Sequence, residues 1–176
     1  MEQSLEQFSL ALSPEPAAIR WLHDVFGNCI AVARFETLAD ELRITATMVI
    51  DHTHALVPEF TIDDRAKVHP FAYAETDLAD LAPTLARQFP DESEVDDWAR
   101  QFIDPDGVTD TAQLLKAMTH AVRRDFRYLR RTDKGTQAPS TTLARGQGTC
   151  RDFALLMIEA ARSLGFAARF VTGFLY

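Results

Sequence analysis

The sequence predicts an α+β protein: a β-rich region over residues 1–77, a partial antiparallel sandwich, followed by a helical region over residues 78–176. Three observations carry this. Leu42, Ile44, Ala46, Met48 and Ile50 alternate with Arg43, Thr45, Thr47 and Val49, the two-residue period of a half-buried strand. Two short apolar runs, Ala17 to His23 and Cys29 to Phe35, flank Asp24-Val-Phe-Gly-Asn28, which is turn chemistry for a hairpin. From Leu78 onward the apolar spacing changes to three and four, the period of a helix packed on one face.

Taken in order, the front of the chain holds that hairpin and the strand over 42–50. Ala55 to Ile62 adds another extended piece, in which Pro58 favours an edge. Leu78, Leu81, Leu85 and Phe89 mark a short helix with Pro83 near its start, and Pro90 stops it. Glu94 to Ile103 is a second short helix carrying Val95, Trp98, Ala99 and Phe102, and Asp104-Pro-Asp-Gly107 is a loop. The longest helix spans Asp110 to Arg131, with Leu114, Leu115, Met118, Val122, Phe126 and Leu129 on its apolar stripe. Asp110 opens it and Arg123, Arg124, Arg127, Arg130 and Arg131 close it, a polarity that suits the helix dipole. Thr132 to Ser140 reads as an exposed loop, and Thr141 to Arg145 leads onward to Gly146. A final helix carries Phe153, Leu156, Met157, Ala160, Ala161 and Leu164, and Gly165 is its stop.

Composition narrows the class of function. The chain has 176 residues, is 47% hydrophobic and 25% charged, which is ordinary for a globular protein. A net charge of −8 disfavours general nucleic-acid binding. The first residues, Met-Glu-Gln-Ser-Leu-Glu-Gln-Phe, lack the basic and apolar regions of a signal peptide, and no apolar run reaches the length of a membrane span. Two cysteines, Cys29 and Cys150, make no disulfide framework, so a cytoplasmic location is expected.

Chemistry concentrates at Gly146-Gln-Gly-Thr-Cys-Arg-Asp-Phe153. Thr149 and Asp152 have the spacing of a capping pair, which places Cys150 in the first turn of the last helix. Unsatisfied N–H groups and the helix dipole there favour a negative charge, and the thiolate form of cysteine is the nucleophile. The backbone N–H of Cys150 is a candidate to receive an oxyanion. Other polar residues have plainer readings. Gln147 could assist an oxyanion, but loop packing accounts for it equally, and it is assigned no role. Asp152 caps its helix or pairs with a nearby arginine. Cys29, beside Ile30 and Val32, is expected in the core. His52 and His54 share one strand face; without a third ligand at a supporting spacing they read as a polar face, not a metal site. His120 lies off the apolar stripe of its helix. The arginine cluster from Arg123 to Arg131 is expected to be a solvated helix end, paired in part with the acidic stretch from Asp51 to Asp110. The sharper alternative is contact with an anion or acidic peptide near the Cys150 loop.

Gly148-Thr-Cys-Arg-Asp-Phe-Ala154, the apolar helix after it, and Gly165-Phe-Ala-Ala-Arg-Phe-Val-Thr-Gly-Phe174 resemble the nucleophile segment of bacterial transglutaminase-like cysteine enzymes. Phe126-Arg-Tyr128 resembles the close of the helix before the nucleophile loop, and the front of the chain resembles the β-rich region that precedes the core. The resemblance implies a papain-like core in which Cys150 is the nucleophile and Ala168 to Gly173 form a strand. It also implies a histidine and an aspartate on later strands. His23, His52, His54, His69 and His120 all precede Cys150, so the chain is expected to be a fragment of that core without turnover of its own. Strand sequence expected before residue 17 is not evident either.

Two function classes follow. In the first, the parent protein is a cysteine protease or amidase, or a transglutaminase. It attacks a peptide or carboxamide carbonyl and passes through a thioester; the resemblance alone favours hydrolysis over crosslinking and implies no metal or organic cofactor. A peptide or protein substrate is expected, with no nucleic acid and no membrane. In the second, the chain is a structural or protein-binding module, with self-association covering the open flank of its core.

Overall fold

The computed structural model describes residues 2–53 and 61–172, and the chain divides into two compact units, Met1–Phe60 and Thr61–Tyr176. In the first unit β1 (Glu2–Ser13) pairs antiparallel with β4 (Arg43–Thr53). Phe8, Leu10 and Leu12 stand opposite Met48, Ala46 and Ile44, so the alternation in β4 is met by a matching one in β1. That first strand was not anticipated. Its own alternation is interrupted by a register shift between Leu5 and Gln7, and a single extra residue moves every side chain beyond it to the other face.

β2 (Ala18–His23) and β3 (Cys29–Arg34) form the expected hairpin. Its turn is tied by Asp24, whose carboxylate accepts hydrogen bonds from the backbone N–H of Phe26 and Asn28 at 2.9 and 2.8 Å. The ring of Phe8 meets Trp21 edge to face, with centroids 5.8 Å apart. Cys29 is exposed rather than buried in a core. A two-stranded ribbon leaves much of its surface uncovered, and Ile30 and Val32 on the same strand are also exposed. The extended piece expected at Ala55 to Ile62 falls mostly outside the described residues.

The second unit begins with β5 (Val68–His69), antiparallel to β6 (Thr109–Asp110). The stretch 61–77, grouped by sequence with the β-rich region, packs here. His69 stacks on Phe166 at 5.3 Å, Phe71 lies 5.5 Å from the same ring, and the Tyr73 hydroxyl accepts the Ala167 N–H at 2.8 Å. α1 (Glu75–Leu85) starts before Leu78, so Pro83 sits in its last turns and not near its start. α2 (Ser93–Arg100) follows. α3 (Thr111–Asp125) is capped by Asp110, whose carboxylate accepts the Gln113 N–H at 2.8 Å.

α3 ends at Asp125, short of the expected Arg131. Phe126 is extended (φ −115°, ψ 139°) and its ring packs edge to face on Trp98 and Phe153. Beyond it, β7 (Arg127–Tyr128) pairs parallel with β8 (Gln147–Gly148). Between them lies α4 (Pro139–Arg145), closed by Gly146, where the sequence suggested only a loop and a lead-in. α5 (Cys150–Ser163) is the central helix, packed against α2, α3 and α4. Leu156 and Ala160 on α5 pack with Val95, Ala99, Leu114 and Met118 in the buried core, each large apolar side chain there contributing roughly 1.5–3 kcal/mol. Gly165 (φ +86°) ends α5 as expected, with Phe166 N–H donating to Ala161 and Gly165 N–H to Arg162. Ala168 to Thr172 is irregular, not the expected strand: among the described residues no neighbouring strand pairs with it. Among the described residues no helix is long and apolar enough to cross a membrane.

Candidate active site

Cys150 is the first residue of α5 and its side chain is exposed. Thr149 and Asp152 form the anticipated capping box: the Thr149 N–H donates to Asp152 Oδ2 at 2.7 Å, and the Asp152 N–H reaches Thr149 Oγ1 at 3.4 Å. Phe153 N–H donates to the Thr149 carbonyl at 3.1 Å. These bonds occupy the N–H groups on either side of the thiol. The N–H groups of Cys150 and Arg151 make no hydrogen bond among the described residues, so two donors stay open at the end of the helix that carries the sulfur.

The turn bearing Cys150 is held from behind by a buried carboxylate. Asp152 is fully buried. Arg131 grips it with two bonds of 3.0 Å, Nε to Oδ2 and Nη2 to Oδ1, the planar fork that an arginine offers a carboxylate. The Gln137 N–H donates to Oδ1 at 2.9 Å and the Thr149 hydroxyl to Oδ2 at 2.9 Å. Burial works to raise the carboxyl's pKa, and the donors from Arg131, Thr149 and Gln137 outweigh it, bringing it from 3.8 to about 2. Sequence suggested a cap or an arginine partner for Asp152; the structure gives it both. Gln137 also donates from its amide to the Gln147 carbonyl at 2.7 Å. The carboxylate thus ties the loop 131–137 to the head of α5, and the Gln137 amide ties the same loop to β8.

Gly148 has to be glycine for these segments to meet. A Cβ there would lie 2.9 Å from the Asp152 Cβ and 2.9 Å from the Gln137 amide nitrogen, closer than atoms of these kinds approach. Gln147 is half-buried, and its contribution here is the backbone carbonyl.

Of the histidines, His69 is buried at the opposite end of α5, its Nε2 2.8 Å from the Leu164 carbonyl oxygen. His120 is exposed on α3 and His23 is exposed on β2. His52 lies on β4, and its partner in the expected polar face, His54, lies outside the described residues. Among the described residues no three His, Cys, Asp or Glu side chains group as metal ligands. Sequence reading missed Glu159. It is fully buried on α5, accepts the N–H groups of Gln88 and Phe89 at 3.0 Å each, and pairs with Arg162 at 3.3 Å. Its signal was a carboxylate within an apolar stripe, which burial tolerates only when paired.

The mixed helical and stranded core, with Cys150 at the head of its central helix, has a papain-like, transglutaminase-like fold. The comparisons agree at this level. The family model of the transglutaminase-like superfamily core matches residues 97–176, and that of the bacterial transglutaminase-like N-terminal region matches residues 1–51. The chain is thus similar to the transglutaminase-like superfamily in its core and to the bacterial N-terminal region that precedes that core. Uncharacterised proteins of Mycobacterium tuberculosis and Mycobacterium bovis are each 25% identical to it over 171 residues, covering 94% of this chain and 53% of theirs. The chain therefore spans about half the length of the curated relatives it matches. A crystal structure of a candidate cysteine protease from Cytophaga hutchinsonii shares the fold, with a TM-score of 0.58 and 17% identity over 93% of this chain and 54% of that one.

Proposed function

We propose that Cys150 is the nucleophile of an amide-cleaving enzyme, active in the whole protein, that hydrolyses a peptide or carboxamide bond through a thioester. The thiolate sulfur attacks the carbonyl carbon. The oxygen takes up the carbonyl electron pair and is received by the open N–H of Cys150. Collapse of the intermediate breaks the C–N bond, and the leaving amine takes the proton first drawn from the thiol. Water then attacks the thioester, giving up a proton and restoring the thiol; an amine in place of water would give crosslinking instead. A histidine held by an aspartate, as the family resemblance implies, carries the proton in both halves. The chemistry calls for a peptide or protein substrate and no metal.

The observation that supports this reading is the exposed sulfur on the first residue of α5, beside two N–H groups that the capping box leaves open. The name of the Cytophaga protein is consistent with hydrolysis as the outcome. The test is release of amine from a pool of peptide amides by the whole protein and by its Cys150→Ala variant. The account expects hydrolysis that falls by at least about a thousandfold in the variant. Hydrolysis that survives the substitution contradicts it.

A further inference from the structure

The arginines before and around the thiol are not the helix end that the sequence suggested. α3 stops at Asp125, so only Arg123 and Arg124 lie in its last turn, where the dipole accounts for them. Arg124 pairs with Asp125, and Arg131 is spent on Asp152 and Asp133. No ion pair among the described residues joins any of the cluster to the acidic stretch 51–110. Arg127, Arg130, Arg145 and Arg151 are exposed, and among the described residues their side chains make no hydrogen bond or ion pair.

These four lie around one small ladder. Arg127 stands opposite Gln147 in the β7–β8 pair, and its N–H donates to the carbonyl of Gly146, next to Arg145. The strands are parallel, so they leave the ladder in the same direction. Leu129 N–H donates to the Gly148 carbonyl, which sets Leu129 and Arg130 alongside the stretch that enters Cys150. Arg131, the next residue, grips Asp152 within the first turn of α5. Arg151 follows the thiol directly. The nearby carboxylates, Asp125, Asp133 and Asp152, are already taken by Arg124 and Arg131. In a chain of net charge −8, which repels anions at long range, exposed arginines without ion pairs on the segments that lead to the thiol act locally on what approaches.

We propose that the arginines flanking the β7–β8 ladder, Arg130 and Arg151 above all, select substrates that carry a carboxylate next to the bond presented to Cys150: acidic peptides. The selection rests on the reading of Cys150 as the reactive group. A guanidinium is always charged and offers a fork of donors to a carboxylate, and an exposed contact of this kind is screened by salt.

The test uses two alkylating reagents of similar size on a Cys29→Ser background, so that Cys150 is the one thiol read. Iodoacetate carries the negative charge and iodoacetamide does not. The ratio of their rate constants is compared with that of N-acetylcysteine amide at low ionic strength. Any change in the readiness of the thiol itself acts on both reagents and cancels in the ratio. We expect the ratio at Cys150 to exceed the reference by about threefold. It should return toward the reference in about 0.5 M salt and in the double variant Arg130→Gln, Arg151→Gln. A ratio at or below the reference in the parent chain overturns the proposal, as does a raised ratio that neither salt nor the double variant lowers. Both results would leave the nucleophile reading standing, whereas hydrolysis independent of Cys150 with a raised ratio would leave an anion-selecting patch without that chemistry.

Discussion

At the scale of single residues, Asp152 does more than cap a helix. Its two oxygens receive five hydrogen bonds, from Arg131 twice, from the N–H groups of Gln137 and Thr149, and from the Thr149 hydroxyl. Every one of them comes from a donor, so an amide in its place sets an N–H against donors whichever way it turns. Asp152→Asn should therefore destabilise the second unit by on the order of 3 kcal/mol, as in other broken buried pairs, measured by urea unfolding. The same carboxylate sets an acid limit. Its folded pKa is about 2 against an ordinary 3.8, so the stabilisation, about 2 kcal/mol, is present above roughly pH 4 and lost as pH falls toward 2. Unfolding free energies from pH 5 downward should show this loss, and the Asn variant should lack that part of it. The capping partner was legible in the sequence as Thr149 and Asp152 three apart. An arginine partner was expected too, but which arginine was not legible, because Arg131 is distant in sequence and its direction depends on where α3 ends.

At the scale of elements, α5 shows how much local sequence can specify. Its head at Cys150, its box and its stop at Gly165 all follow from spacing and residue type, and all are present. Thr149→Ala should cost about 1–2 kcal/mol, read as a fall in the unfolding midpoint with helix content otherwise kept; an unchanged midpoint would mean the cap is not stabilising. α3 shows the opposite case. Its stripe continues through Phe126 and Leu129 by spacing alone, yet the chain turns extended at Phe126 because that ring packs between Trp98 and Phe153 and the next residues pair with β8. Tertiary contacts override a repeating pattern of this kind. α4 went unseen for a local reason: seven residues with two adjacent threonines carry little periodicity. The proline at its first position and the glycine after its last were its only marks.

At the scale of the whole molecule, the α+β order of a β-rich front and a helical core was legible because the apolar period changes once along the chain. The boundary was not. Residues 61–77 carry no strong period, and their place with the core comes from contacts of His69, Phe71 and Tyr73 with the segment after α5. The strand expected at Ala168 to Gly173 depends on neighbours distant in sequence, which local pattern cannot supply. The site shows the same division: Cys150 and its cap are local and readable, while the arginine patch needed the fold to separate it from the helix end. Whether Cys150 stands at an open helix head as a reactive thiol is read from its alkylation by iodoacetamide at about pH 6 to 7. The rate constant should lie above that of a free model thiol under the same conditions. A rate equal to or below the model thiol's would contradict a reactive thiol there.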